Sequence, residues 1–91
     1  AELIQKNAQR FQLSSELVHA IILTESSGKA RAVSGKGATG LMQIMPAAWK
    51  DMTKKLGVDW EYKDASDPEK NIAVGCAYLR WLQDEIVTRY F

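Results

Sequence analysis

The stretch "DPEKNIAVGCAYL", residues 67–79, carries the clearest helix start signal in the sequence. Asp67 fits the N-cap of a helix, Pro68 fits the first helical position, and Glu69 adds negative charge to the first turn. Apolar residues then form two neighbouring stripes at helical spacing, one of Ile72, Cys76, Leu79, Leu82 and Ile86, the other of Val74, Tyr78 and Trp81. Because the stripes cover more than half of the helix surface, we expect this helix to lie at the centre of the fold.

Three shorter helical segments precede this helix, and no convincing alternating strand occurs. The first is marked by the apolar residues Leu3, Ile4, Ala8 and Phe11. The second is expected to begin after the N-cap Ser14 and to end near Gly28, and the third runs from Pro46 to Gly57. The inward side chains expected on the third helix are Trp49, Met52 and Leu56. The sequence therefore predicts an all-α protein.

Size and composition limit the chain to one small domain. It has 91 residues, of which 46% are hydrophobic and 25% charged, as in ordinary globular proteins. A net charge of +1 is too small for the positive field that non-specific nucleic-acid binding requires, so no nucleic-acid partner is expected. Cys76 is the only cysteine, which excludes an internal disulfide, and the few Cys and His residues do not suit a zinc site. We expect no metal and no other cofactor.

The sequence contains no membrane span and no signal peptide of its own. No stretch approaches the roughly 20 apolar residues that span a bilayer, and residues 1–11 lack the basic start and apolar run of a signal peptide. If the protein is exported, we expect its signal or anchor to lie outside this chain.

The stretch "LTESSGKARAVSGKGATGL", residues 23–41, places Glu25 at the end of the second helix, before a loop rich in glycine and cations. Glu25 lies eight residues after Leu17, on the predicted inward face. It is either a solvated carboxylate at a helix end or a partly buried acid. Partial burial and the negative end of the helix would both favour a protonated carboxyl, which can donate a proton to a leaving oxygen. Glu25 is therefore a candidate general acid.

Three separate motifs point to a family: "ES" at residues 25–26, "GLMQIMP" at residues 40–46 and the stretch at residues 67–79. In order and spacing they resemble the catalytic domain of lytic transglycosylases of the soluble (SLT) type. The resemblance implies a lysozyme-like helical fold with a saccharide groove. It also implies cleavage of peptidoglycan between N-acetylmuramic acid and N-acetylglucosamine, which leaves 1,6-anhydro ends. The expected partners are peptidoglycan glycan strands, and the expected location is the periplasm, the cell envelope or the cell exterior.

The resemblance assigns Glu25 as the single catalytic acid and base. Most glycosidases need two carboxylates. In this family the substrate supplies the second function, because its 2-acetamido group stabilises the sugar cation and its C6 hydroxyl attacks in place of water.

The same resemblance assigns four substrate-binding residues: Ser34, Gln43, Met45 and Tyr78. The Gln43 amide can both donate hydrogen bonds to sugar hydroxyls and accept them. The alternatives are an ordinary exposed polar residue for Ser34 and for Gln43, core packing for Met45, and a core tyrosine for Tyr78. Met42 is expected to pack in the core.

Three further residues are expected to be structural. Asn71 is expected to bond backbone groups near the start of the last helix. Trp60 and Tyr62 are expected to cover the core, with stacking on sugar rings as the alternative.

The chain departs from the family pattern after the last predicted helix. The family continues into helices that carry an "AYNAG"-like segment, whereas this sequence ends at Phe91. We therefore expect residues 1–91 to form one domain that lacks these C-terminal helices. It is either part of a longer protein, whose missing groove wall is absent or comes from another chain, or a naturally short relative. Its apolar end, which includes Ile86 and Tyr90, predicts self-association or packing against a further segment.

Two other functions remain open at this point. A hydrolytic muramidase similar to the goose-type lysozymes would use water on the same scaffold. A peptidoglycan-binding or assembly module would keep the fold without turnover.

Overall fold

A computed structural model describes residues 2–90, and this part of the chain forms four α-helices. They are α1 (Glu2–Arg10), α2 (Ser15–Ser26), α3 (Pro46–Leu56) and α4 (Pro68–Tyr90), and a 3-10 helix (Tyr62–Ser66) lies before α4. Two isolated antiparallel bridges, Val33 with Thr39 and Thr39 with Ile44, occur in the segment between α2 and α3. No longer strand is present within residues 2–90, so the all-α prediction is confirmed.

The helix ends lie close to where the sequence predicts them. The Ser14 side chain accepts a hydrogen bond from the Leu17 backbone nitrogen at 3.2 Å, which caps α2. Pro46 occupies the first turn of α3, and Gly57 follows that helix with a left-handed φ of 72°. Asp67 Oδ1 accepts from the Glu69 nitrogen at 3.1 Å at the start of α4. The 3-10 helix was not predicted, because its five residues are too few to show a helical period.

The first half of α4 is the centre of the fold, as predicted. Residues 71–76 are all buried, and α4 packs against α1, α3 and the 3-10 helix. Gly75 permits close packing here, because a Cβ atom at this position would lie only 2.9 Å from Met42 Cβ.

The second half of α4 differs from the prediction. Ile86 is 51% exposed and Val87 58% exposed, so the expected inward stripe does not continue to Ile86. A helix of 23 residues is about 34 Å long, and residues 86–90 at its end are all exposed. Phe91 lies outside the described residues, and self-association through this apolar end stays a prediction. Between residues 2 and 90, no helix combines the length and the apolar character needed to cross a membrane.

Candidate active site

Glu25 lies in the last turn of α2, whose end is firmly bonded. Ser26 is buried, and its Oγ donates to the Ile22 carbonyl at 3.0 Å and accepts from the Gly28 nitrogen at 3.2 Å. Ser27 then leaves the helix with a left-handed φ of 55°. These bonds give Glu25 a defined backbone position next to the loop that follows.

The Glu25 side chain is exposed, so the expectation that it lies on the inward face is wrong. The buried face of α2 consists of Val18, Ile22 and Ser26. Leu17, Ile21 and Glu25 recur every four residues along the edge of that face, and only Ile21 among them is partly buried. One helical position corresponds to about 100° of rotation, which is enough to move a side chain from the core to the solvent.

The loop between α2 and α3 is a folded unit. The backbones of Thr39 and Ile44 exchange two hydrogen bonds of 3.1 and 3.0 Å, and the Gly40 nitrogen donates to the Ala32 carbonyl at 2.9 Å. The loop carries the predicted residue Ser34, whose side chain is exposed. Ser34 Oγ accepts from the nitrogens of Lys36 at 3.2 Å and Ala38 at 3.0 Å, so its hydroxyl hydrogen can still be donated to a ligand.

Gln43 is half-buried and bonded to this loop. Its backbone is left-handed, with φ of 52°. Its Nε2 donates to the carbonyls of Ala32 and Gly40, both at 2.9 Å. Because an amide nitrogen carries two hydrogens, both are used within the protein and only Oε1 is left for a ligand. The arrangement makes Gln43 an acceptor, whereas the sequence suggested both donation and acceptance.

The two methionines beside Gln43 have different environments. Met42 is buried and packs against Gly75, as predicted. Met45 is 43% exposed, immediately before α3. Its assignment to a saccharide groove stays a prediction.

Tyr78 lies on α4, in a different setting from the loop residues. Its ring stacks on Trp81, with 6.1 Å between centroids and 12° between planes. The pair lines a cavity of about 740 Å³ between α3 and α4, together with Ala47, Ala48, Asp51, Met52, Lys54 and Lys55. Neither Glu25 nor Gln43 lines this cavity, so the cavity does not bring Tyr78 together with them.

Asn71 bonds the loop to α4, a wider structural role than the sequence suggested. The side chain is fully buried. Its Oδ1 accepts from the Met42 nitrogen at 2.8 Å, and its Nδ2 donates to the carbonyls of Thr39 at 3.0 Å and Ala65 at 2.7 Å. Gly40 permits this approach, because any Cβ there would overlap the Asn71 amide. The only sequence signal for this role is a polar residue at the start of an apolar helix.

Comparison with known proteins identifies the family. The sequence model of the Transglycosylase SLT domain matches residues 2–91, and the chain belongs to this family. The transglycosylase of Enterobacteria phage PRD1 is 44% identical over 79 residues, which cover 87% of this chain and 27% of that protein. Membrane-bound lytic murein transglycosylase C of Edwardsiella ictaluri is 40% identical over 87 residues, which cover 91% of this chain and 24% of that protein.

Solved structures agree with this assignment. An inactive glutamate-to-glutamine mutant of the lytic transglycosylase Slt from Pseudomonas aeruginosa superposes with a TM-score of 0.90 at 32% identity. The match covers 94% of this chain and 14% of Slt. The chain thus spans about a quarter of the two relatives named above and a smaller part of Slt. The family resemblance and the fold that it implies are confirmed.

Proposed function

We propose that this chain is the catalytic region of a peptidoglycan lytic transglycosylase, with Glu25 as its acid and base. The observation that carries the proposal is the family match across residues 2–91, with relatives named lytic murein transglycosylases. The position of Glu25 supports it, because the carboxyl is open to a polymeric substrate and its backbone is bonded in place.

The reaction needs one carboxyl group. Glu25 donates its proton to the glycosidic oxygen as the bond to C1 of N-acetylmuramic acid breaks, and N-acetylglucosamine leaves as an alcohol. The 2-acetamido oxygen of the substrate stabilises the positive C1. The C6 hydroxyl oxygen of the same sugar then bonds to C1, and the Glu25 carboxylate accepts the proton that this hydroxyl releases. The product has a 1,6-anhydro end, and Glu25 is protonated again.

An exposed acid can still work as a proton donor in the complex. A glycan seated over Glu25 would bring its glycosidic oxygen within hydrogen-bond reach of the carboxyl, which is the geometry that proton donation requires. Ser34, with a free hydroxyl hydrogen, and Gln43, with a free Oε1, are proposed to contact the sugar. Met45 and Tyr78 are proposed to supply apolar contacts.

The proposed place of action follows from the proposed substrate. Relatives are named membrane-bound lytic murein transglycosylases, which supports a place of action at the cell wall. We propose that the protein acts in the periplasm, the cell envelope or the cell exterior on peptidoglycan strands.

The test is to incubate purified peptidoglycan with the protein and with Glu25→Gln, and to measure the masses of the soluble products by mass spectrometry. We expect muropeptides lighter by one water than reducing ones, and a loss of at least a hundredfold in Glu25→Gln, because the amide cannot deliver a proton. Glu16→Gln, at the other end of α2, is the matched control and should retain activity.

The other products would each contradict a part of the proposal. Reducing ends would indicate a hydrolytic muramidase. Binding to peptidoglycan by a folded protein that releases no fragments would indicate a binding module. Full activity of Glu25→Gln would show that the assignment of Glu25 is wrong.

A further inference from the structure

The Tyr62 hydroxyl contacts both arms of the loop between α2 and α3. It lies 2.6 Å from the Gly37 carbonyl oxygen, 2.6 Å from the Ile44 carbonyl oxygen and 3.0 Å from Thr39 Oγ1. A phenol hydroxyl has one hydrogen and accepts through its lone pairs, so it donates to one carbonyl at a time and can accept from Thr39. These partners precede Tyr62 by 18 to 25 residues, so the contact is a tertiary one.

The position of this hydroxyl is determined by the core. The Tyr62 ring meets the Trp49 ring edge-on, with 6.1 Å between centroids and 81° between planes. Trp49 is only 2% exposed, and its Nε1 donates to the Trp60 carbonyl at 3.1 Å. Because Trp49 is packed and bonded, the Tyr62 ring presents its hydroxyl at a defined point.

The two arms carry the two polar residues proposed to contact the glycan. Gly37 belongs to the turn that begins at Ser34, since the Gly37 nitrogen donates to the Ser34 carbonyl at 3.0 Å. Ile44 directly follows Gln43. A single hydroxyl thus joins the Ser34 turn to the Gln43 segment.

We propose that Tyr62 is a positioning residue, whose hydroxyl sets the distance between Ser34 and Gln43 and thereby the affinity for the glycan. This inference rests on the proposed function, which assigns those two side chains to the sugar. Tyr62 itself contacts no reacting atom in this scheme.

The first test is amide hydrogen exchange in Tyr62→Phe, which keeps the ring and removes the hydroxyl. Thr39 and Ile44, whose amides bond across the loop, are expected to exchange about fivefold faster, in line with the loss of one hydrogen bond. Amides of α1 should be unchanged. Tyr90→Phe, which removes a hydroxyl from a residue that is 75% exposed, is the matched control. Its amides should exchange at the rates of the parent protein.

The second test separates positioning from stability. On soluble glycan strands, Tyr62→Phe is expected to raise KM about fivefold with kcat within about twofold, because binding contacts are displaced and the acid is not. Cys76→Ala, which removes a buried sulfur atom from α4 and no hydrogen bond of Tyr62, should lower stability and leave KM unchanged.

Parental exchange rates in the loop of Tyr62→Phe would overturn the inference, and so would faster exchange with an unchanged KM. If the parent protein cleaves nothing, the proposed function has failed by itself. The exchange data and the affinity for glycan strands, measured by calorimetry, then decide the role of Tyr62. If Tyr62→Phe binds glycan strands with the affinity of the parent, or if neither protein binds them, the positioning role of Tyr62 is overturned.

Discussion

Asn71 Oδ1 accepts a hydrogen bond of 2.8 Å from the backbone nitrogen of Met42, which joins the central helix to the "GLMQI" segment. The two residues are 29 positions apart in sequence. The same side chain donates to two carbonyls of the chain, so one buried amide bonds three backbone groups. The loop that carries Gln43 is thus attached to the most buried part of the molecule.

Asn71→Ala is expected to lower the free energy of unfolding by about 3 kcal/mol or more, because it leaves buried backbone groups without partners. Urea unfolding measures this loss. Asn7→Ala is the matched control, since Asn7 is also buried but makes one side-chain bond, to the Leu3 carbonyl at 2.9 Å. A loss in Asn71→Ala no larger than that in Asn7→Ala would contradict the prediction.

Gly75→Ala is expected to destabilise the protein by about 1 to 3 kcal/mol, because the added methyl would meet the Met42 side chain in a filled core. Thermal or urea unfolding tests this. In Gly35→Ala the new methyl meets no atom within 4 Å and the backbone is not left-handed, so a change within about 0.5 kcal/mol is expected. Equal losses in the two variants would refute the packing explanation.

Glu16 is expected to make stability depend on acid pH. Hydrogen bonds from its backbone nitrogen and from the hydroxyls of Ser14 and Ser15 lower the pKa of Glu16. A lowered pKa stabilises the folded state above the ordinary value of about 4.5, and that contribution disappears as the pH falls through the folded pKa. The difference in Tm between the parent and Glu16→Gln should therefore be positive at pH 7 and shrink towards pH 3. A difference that does not vary with pH would disprove this.

Cys76 is expected to be unreactive in the folded protein. Burial raises the pKa of its thiol to about 12, so the nucleophilic thiolate is scarce at pH 8. Iodoacetamide should add no mass to the native chain and one adduct after unfolding in urea, because Cys76 is the only cysteine. Since the thiol ionises more easily in the unfolded chain, stability should also decline as the pH rises above about 9. Rapid alkylation of the native protein would contradict the prediction that Cys76 is unreactive.

Helix boundaries were predictable because their causes are local. Asp67 bonds a nitrogen two residues away, and Pro46 and Gly57 act through their own backbone geometry. The burial of Met42 and the structural role of Asn71 also followed from residue type and context.

Glu25 shows where such local signals fail. Its spacing from Leu17 is helical, as predicted, yet the buried stripe of α2 passes through Val18 and Ser26. A sequence period identifies a face to within about one helical position, and the neighbouring element decides which edge of that face is covered.

The four α-helices, the caps Ser14 and Asp67 and the family were predictable from the sequence, because these depend on residues close together in the chain and on motifs in a fixed order. The exposure of Glu25, the single free oxygen of Gln43 and the contact of Tyr62 with both arms of the loop became visible only in the folded molecule. The Tyr62 hydroxyl contacts residues 18 to 25 positions away, one Gln43 amide bond reaches a residue 11 positions away, and the exposure of Glu25 follows from how α2 packs. No local preference specifies such contacts, because the folded core creates them.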